Sequence, residues 1–415
     1  MNNKRYNKKL HVFFYVLYAY LVSSIIFPSS DNYGSTSDYG FNRLIPQLLS
    51  TLVVIISAPS FFKALRSKIL SIKAFYVFSL LTLVNFLVTL SSKGFSLYFM
   101  AEQFKIFVWI FPIYYLYDIF RHLEQEEIRP WLKLYIYVFY LYLIIAIYQE
   151  YSFRATGNIE ILTEGQGVYS GGAIYFLVPL IFAVFNKRVA TYLWIIGFGI
   201  AVLTAKRTPL VLLLVFGAFQ FKAMLKSLKS KDYVILTFIT FAGSTLLLAQ
   251  YWEMLVERNA HDAEAGGTYG SGREVFYMIV LNGWLNSNWV EQFFGHGFGS
   301  VHELLLREYG MAISSHNGFL DCIYIYGTVG VISYILIFIF AFRRYRVVKK
   351  LIPQYKNTYM AFICMWLIQN LIIHGFSGPN FIPYGIFLAY IESEIYKAKK
   401  ENYGHMCECG YRMHE

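Results

Sequence analysis

Apolar residues in this chain come in runs. About twelve can be marked, at 10–27, 44–62, 72–90, 97–117, 131–148, 168–185, 189–204, 209–221, 233–250, 317–341, 358–374 and 381–396. Most approach the ~20 residues with which a helix crosses a hydrocarbon core, so they predict transmembrane helices. Two of them, 189–204 and 209–221, are shorter than a full crossing. The first run is followed by "FPSSDNYGSTSDYG" and carries no small-residue cleavage site, which reads as a retained span and not a removable signal. One long interruption, 251–316, separates the ninth run from the tenth. The pattern predicts an all-α polytopic membrane protein. Helices one to nine occupy 1–250, a partly helical loop 251–316, helices ten to twelve 317–396, and a tail 397–415.

Composition agrees. The chain is 57% hydrophobic and 15% charged, against roughly a quarter charged residues in soluble proteins, which excludes a soluble enzyme. Charge then supplies orientation. With "MNNKRYNKK" in the cytoplasm, 27 of the 36 lysines and arginines fall in cytoplasmic segments, eight fall outside, and Lys105 lies within a span. That satisfies the positive-inside rule at nearly every loop, with both termini cytoplasmic and 251–316 extracytoplasmic. The net charge of +11 is therefore mostly a topology signal. Scattered over short loops, these cations make no nucleic-acid footprint, and no nucleic-acid partner is expected. Cys322 and Cys364 lie in spans, while Cys407 and Cys409 share the tail "HMCECGYRMHE" with His405 and His414. A lone C-x-C is a weak metal signal, and the tail reads as disordered.

The outside cations are informative because insertion does not explain them. Lys206 and Arg207 lie in "LTAKRTPLV", where Thr208 can cap the next helix with Pro209 at its first position. Two readings stand side by side: snorkelling toward headgroups, or a cationic pair for an anion. In "GGTYGSGREVFYMIVLNGWL", Ser271 and Glu274 have capping-box spacing, which puts Arg273 in the first helical turn. The helix dipole disfavours an arginine there unless an anion docks at the same N-terminus; a solvent-facing arginine is the alternative. Arg258, Arg307 and His261 carry no comparable signal. "FFGHGFGSVHELL" is no dinucleotide fingerprint, because no strand precedes it. Its glycines suit a backbone that folds close to a ligand or to a helix end, and His296 and His302 read as structural before catalytic. Glu102 and Lys105, at i, i+3, are equally a functional intramembrane pair and a self-satisfied one.

His316 stands at the threshold of the tenth run, in "SSHNGFLDCIYIYGTVGVI". With Arg207 and Arg273 it forms a candidate catalytic set, and Lys206, Ser271, Gly272, His296 and Asn317 are candidate substrate contacts. Guanidinium forks match diphosphate oxygens, and a histidine can take a proton from a hydroxyl. Glu264, Glu274 and Glu303 compete for that role. No metal-ligand spacing and no cofactor motif is visible, so arginines would stabilise the charge.

The order "TAKRTPL", "SGREVFY", "FFGHGFGS" and "SSHNGFLDCIYIYGTVGVI" resembles the O-antigen polymerase and O-antigen ligase superfamily, most clearly over 200–332, with H-N-x-x-L and the downstream G-x-x-G the most specific part. The first half matches in hydropathy alone. The resemblance implies a GT-C-like fold and an inverting, metal-independent glycosyltransferase of the cytoplasmic (inner) membrane. Its donor would be an undecaprenyl-pyrophosphate-linked oligosaccharide and its acceptor another glycan, with membrane lipid and a chain-length regulator as partners. It maps Arg207, Arg273 and His316 onto the family's span-boundary arginine, loop arginine and loop histidine; the adjacency of Lys206 and Arg207 leaves open which one meets phosphate. The expected activity is polymerisation of O-antigen or capsule repeat units. The alternatives are a ligase moving finished glycan to lipid A core or protein, and a lipid-linked glycan flippase. A flippase predicts cations along a path through the spans and related halves; no internal repeat is seen.

Overall fold

The computed structural model describes residues 2–26, 41–67, 73–93, 97–156, 173–203, 207–227, 273–310, 313–372 and 381–411. Among them there is no strand. The helices are α1 (Asn2–Ile26), α2 (Phe41–Ser67), α3 (Lys73–Lys93), α4 (Leu97–Phe120), α5 (Gln125–Thr156), α6 (Ala173–Phe185), α7 (Lys187–Leu203), α8 (Arg207–Ser227), α9 (Arg273–Leu285), α10 (Trp289–Phe294), α11 (Ser300–Tyr309), α12 (Gly318–Leu351), α13 (Lys356–Ile372) and α14 (Ile382–Tyr411). Eleven of the twelve expected segments fall on helices; the ninth, 233–250, lies outside the described residues. Five of the helices are long and apolar enough to cross a membrane.

Side-chain placement follows the logic of a lipid solvent. On α3 the polar residues Ser79, Thr82, Asn85 and Thr89 are buried, while Val77, Leu80, Val84, Leu87 and Val88 are exposed. In water that distribution would be inverted; in hydrocarbon it hides polar groups and presents apolar ones. The buried hydroxyls donate to carbonyls one turn back, Ser79 to Phe75 at 2.6 Å and Thr82 to Phe78 at 2.9 Å. Each donor is thereby satisfied within its own helix. The interior is aromatic, with Trp109, Trp366, Tyr114, Tyr135, Tyr334, Tyr359, Tyr384 and Tyr390 fully buried.

The two ends of the bundle differ. At one, which we call the charged end, Arg344 of α12 makes a two-pronged pair with Glu392 of α14 at 3.0 and 2.8 Å. Arg121 pairs with Asp118, Lys397 donates to the Leu123 carbonyl, and Asn7 donates to Glu127. Every segment in this cluster is one whose cations count as cytoplasmic in the charge pattern.

The opposite end is built around a break in α12. Gly327 has φ 68° and ψ −168°, outside helical space. If α12 were straight, Phe319 and Phe338 would stand about 28 Å apart at 1.5 Å per residue. Their rings are 5.9 Å apart, and Phe319 also touches Tyr334 at 5.6 Å. The segment before Gly327 therefore folds back along the segment after it, forming a helical hairpin with its tip at Gly327. A Cβ on Gly330 would lie 3.7 Å from the Cys322 carbonyl, as this close return requires. The tenth expected span is thus not one straight helix from 317; the stretch after the tip alone is long enough to cross, at about 1.5 Å per residue.

The tail also differs from expectation. The backbone of α14 continues helical to Tyr411 where disorder was expected. "YKAKKEN" is rich in strong helix formers, which lets α14 run on past its apolar section.

Candidate active site

The break at Gly327 frees carbonyls that would otherwise be bonded within α12, and the glycine-rich stretch 295–299 takes them up. His296 N–H donates to the Tyr324 carbonyl at 2.9 Å and Gly297 N–H to that of Ile325 at 3.1 Å. Asn85 of α3 donates its side-chain amide to the same Ile325 carbonyl at 3.1 Å. A Cβ on Gly295 would sit 2.2 Å from that carbonyl oxygen, and one on Gly327 would sit 2.3 Å from the Phe293 backbone. Of the two roles the sequence left open for these glycines, the structure supplies the helix end. The His296 ring stacks on Tyr324 at 4.3 Å and its Nε2 meets Ser287 Oγ at 2.7 Å. Its role among the described contacts is to hold the hairpin. His302 lies half-buried on α11, while Glu274 and Glu303 are exposed.

Below the tip, α9 runs beside the first arm of the hairpin. Its start lies against the start of that arm, where the Phe276 ring is 6.4 Å from the His316 ring. Its other end meets the tip, where a Cβ on Gly283 would be 3.2 Å from Tyr324. Burial holds the Tyr277 phenol above its usual pKa, with Arg273 opposing the shift and Glu274 and Asp321 adding to it. Arg273, Tyr277 and Asp321 therefore share one neighbourhood.

His316 itself has φ 59°, the one positive φ on a non-glycine among the described residues. That left-handed conformation is sparsely populated for side-chain-bearing residues and persists only where its surroundings fix it. They do so here. Asp321 Oδ1 accepts the buried Ser315 N–H at 3.1 Å. Ser315 Oγ accepts the Asn317 N–H at 3.1 Å and donates to the Asn317 carbonyl at 3.0 Å. Asn317 Oδ1 caps α12, accepting from Phe319 N–H at 3.0 Å and Leu320 N–H at 3.2 Å. Asn317, expected as a substrate contact, thus has a helix cap as its described role.

Arg273 Nη1 donates to the carbonyl of Ile372, the last residue of α13, at 3.0 Å. A cation at a helix C-terminus is favourable, and the bond fixes where the guanidinium stands. The level of Ile372 follows from neighbours: Phe338 contacts Trp366, and Tyr334 donates to Asn370 at 2.6 Å. Ile372 is accordingly level with about residue 332 of α12, roughly 7 Å below the tip at 1.5 Å per residue. The carbonyl that holds Arg273 therefore lies below the level of the hairpin tip. Helix α8 runs antiparallel to α13, with Gln220 donating to Thr358 at 2.9 Å. The structure thus fixes the guanidinium of Arg273 at the end of α13, one turn before Phe276, whose ring meets the His316 loop. The Arg207 side chain, together with Lys206, Ser271, Gly272 and Glu264, lies outside the described residues, as do the side chains of Glu102 and Lys105. Thr208, expected as a cap, lies within α8 as described from Arg207 onward.

Sequence reasoning missed Asp321 and Ser315. An aspartate five residues after a histidine in an apolar run was the available signal, and only the hairpin gives it meaning. Among the described residues no three His, Cys, Asp or Glu side chains are grouped to hold a metal ion. Compared with protein-family models and with curated proteins, the chain matches none.

Proposed function

We propose that this protein crosses the cytoplasmic membrane about twelve times, with the charged end in the cytoplasm and the hairpin end outside, and that the hairpin end transfers glycans from a polyprenyl-diphosphate carrier. The carrying observation is the Arg273 guanidinium bonded to Ile372 at the end of α13, one turn from Phe276, whose ring lies against the His316 loop. The N-termini of α8 and α9 add partial positive charge suited to an anion.

In this reading the two arginines hold the diphosphate of an undecaprenyl-pyrophosphate-linked oligosaccharide. His316 removes the proton from an acceptor sugar hydroxyl. The hydroxyl oxygen bonds to the anomeric carbon as the bond from that carbon to the phosphate oxygen breaks, so configuration inverts. The electron pair leaves with the polyprenyl diphosphate, whose growing charge the guanidiniums stabilise, an effect worth roughly a hundredfold or more in rate per donor. The acceptor is a second lipid-linked repeat unit, which makes the product a polymer. Asp321 acts as a positioning residue, holding Ser315 and through it the His316 backbone.

The test is purified protein in liposomes with lipid-linked oligosaccharide, assayed in chelator. Glycan lengthening and release of polyprenyl diphosphate are expected, each lost in Arg273→Ala and Arg207→Ala and poorly restored by lysine, which lacks the fork. Release only after adding magnesium or manganese, or transfer only to lipid A core, contradicts this reading.

A further inference from the structure

We infer that the short helix α10 is a lipid-docking element that lies in the outer leaflet beside the hairpin tip. The inference rests on the membrane reading alone and is independent of the glycosyl-transfer chemistry.

α10 presents its large apolar side chains outward. Trp289 is 71% exposed, Phe294 59%, Phe293 52% and Val290 45%, and the helix buries no residue. The helix is tied to the protein through its cap and its backbone. Glu291 closes a capping box with Asn288 and approaches the His296 ring at 3.7 Å. The Gln292 carbonyl accepts from Trp284 Nε1 at 3.1 Å and Thr328 Oγ1 at 3.0 Å, and its amide donates to Leu285 O at 2.9 Å.

Position identifies the occupant. Through Thr328 and the close approach of Gly327 to Phe293, α10 is seated against the hairpin tip. Just past that tip, α12 exposes Ile332, Ile335, Leu336, Ile339 and Phe342 along its membrane-crossing arm. The exposed aromatic rings of α10 thus sit at the end of the helix arm that carries this stripe, the level where tryptophan and other aromatic rings collect at a bilayer boundary. Burial of such a face typically reaches ~5–10 Å into the headgroup and acyl region. The result is an anchor that holds the hairpin tip at a constant depth relative to the lipid surface.

Full-length protein with its native cysteines replaced is labelled with a nitroxide at Trp289→Cys, Phe293→Cys, Phe294→Cys or, as a polar control, Asn286→Cys, and reconstituted in phosphatidylcholine vesicles. The three aromatic positions should be relaxed by oxygen and shielded from a water-soluble nickel chelate, and Asn286 the reverse. Because labelling could disturb the helix, the unaltered protein is also photolabelled with an acyl-chain diazirine lipid, which should form adducts within 285–294. Nickel accessibility equal to that of Asn286 overturns the proposal. So does shielding from both reagents, which would mean that protein covers the face. Absence of adducts in 285–294 while α3 and α12 are labelled also overturns it.

Discussion

The charged end and the hairpin end solve the same problem, closing a bundle of apolar helices against water, in opposite ways. The charged end does it with side chains paired to side chains: Arg344 with Glu392 and Arg121 with Asp118. The hairpin end does it with backbone, through the His296, Gly297 and Asn85 bonds to the carbonyls of a broken helix and the Arg273 bond to the end of α13. Paired side chains neutralise one another and make a lock. A broken helix leaves backbone groups that its neighbours must satisfy, and under the proposed function the helix ends gathered there would serve a charged ligand. The contrast teaches that polar groups can close a bundle either by pairing with one another or by capping the backbone of a broken helix.

The largest effect that would break this comparison is at the lock. Glu392 is 2% exposed, so Glu392→Ala leaves Arg344 buried and unpaired, which typically costs about 3–5 kcal/mol. Thermal unfolding in detergent should show a marked loss, with normal transfer per folded molecule. Unchanged stability would mean the charged end is not a lock.

Next comes the hairpin tip. Gly327 occupies a region of backbone space that is essentially glycine-only, at a strain of order 1–3 kcal/mol for other residues. An added Cβ also meets the Phe293 backbone at 2.3 Å, where nothing flexible can yield. Gly327→Ala should lower both stability and transfer, and a protease-protection pattern around 285–330 should change with it. Full activity in this variant would mean the pocket does not depend on the hairpin.

How much of this was legible in the sequence follows from what each element asks of it. The helices were readable because lipid demands long apolar runs, and eleven expected segments fall on helices. The hairpin was not. Residues 318–351 are apolar before and after Gly327, so hydropathy draws one line through a chain that turns back on itself. The G-x-x-G at Gly327 and Gly330 was noticed, but its purpose depends on glycines some thirty residues earlier. Arg273 was singled out for standing at a helix start against the dipole, and the structure bonds it to a neighbouring helix end. The role of Asn317 as a cap was overlooked in favour of substrate, though an asparagine before a helical run is the commonest of caps.

A smaller effect sharpens the pocket itself. Asp321→Ala leaves the Ser315 N–H buried without its acceptor, typically a loss of about 1–3 kcal/mol. Asp321→Asn keeps an acceptor oxygen and should restore most of the turnover. If asparagine is no better than alanine, the carboxylate charge and not the hydrogen bond is what His316 requires.

The most direct test of the central claim separates binding from chemistry at His316. Equilibrium binding of the lipid-linked donor and single-turnover transfer are measured side by side for the wild type and His316→Ala in liposomes. The account predicts donor binding within about twofold of wild type, and transfer reduced by roughly 10²- to 10⁴-fold, as expected for one general base. Wild-type transfer should fall at acid pH, where an imidazole is protonated. Turnover preserved with donor binding lost would make His316 a phosphate ligand and contradict the assignment of the hairpin loop as the site of proton removal.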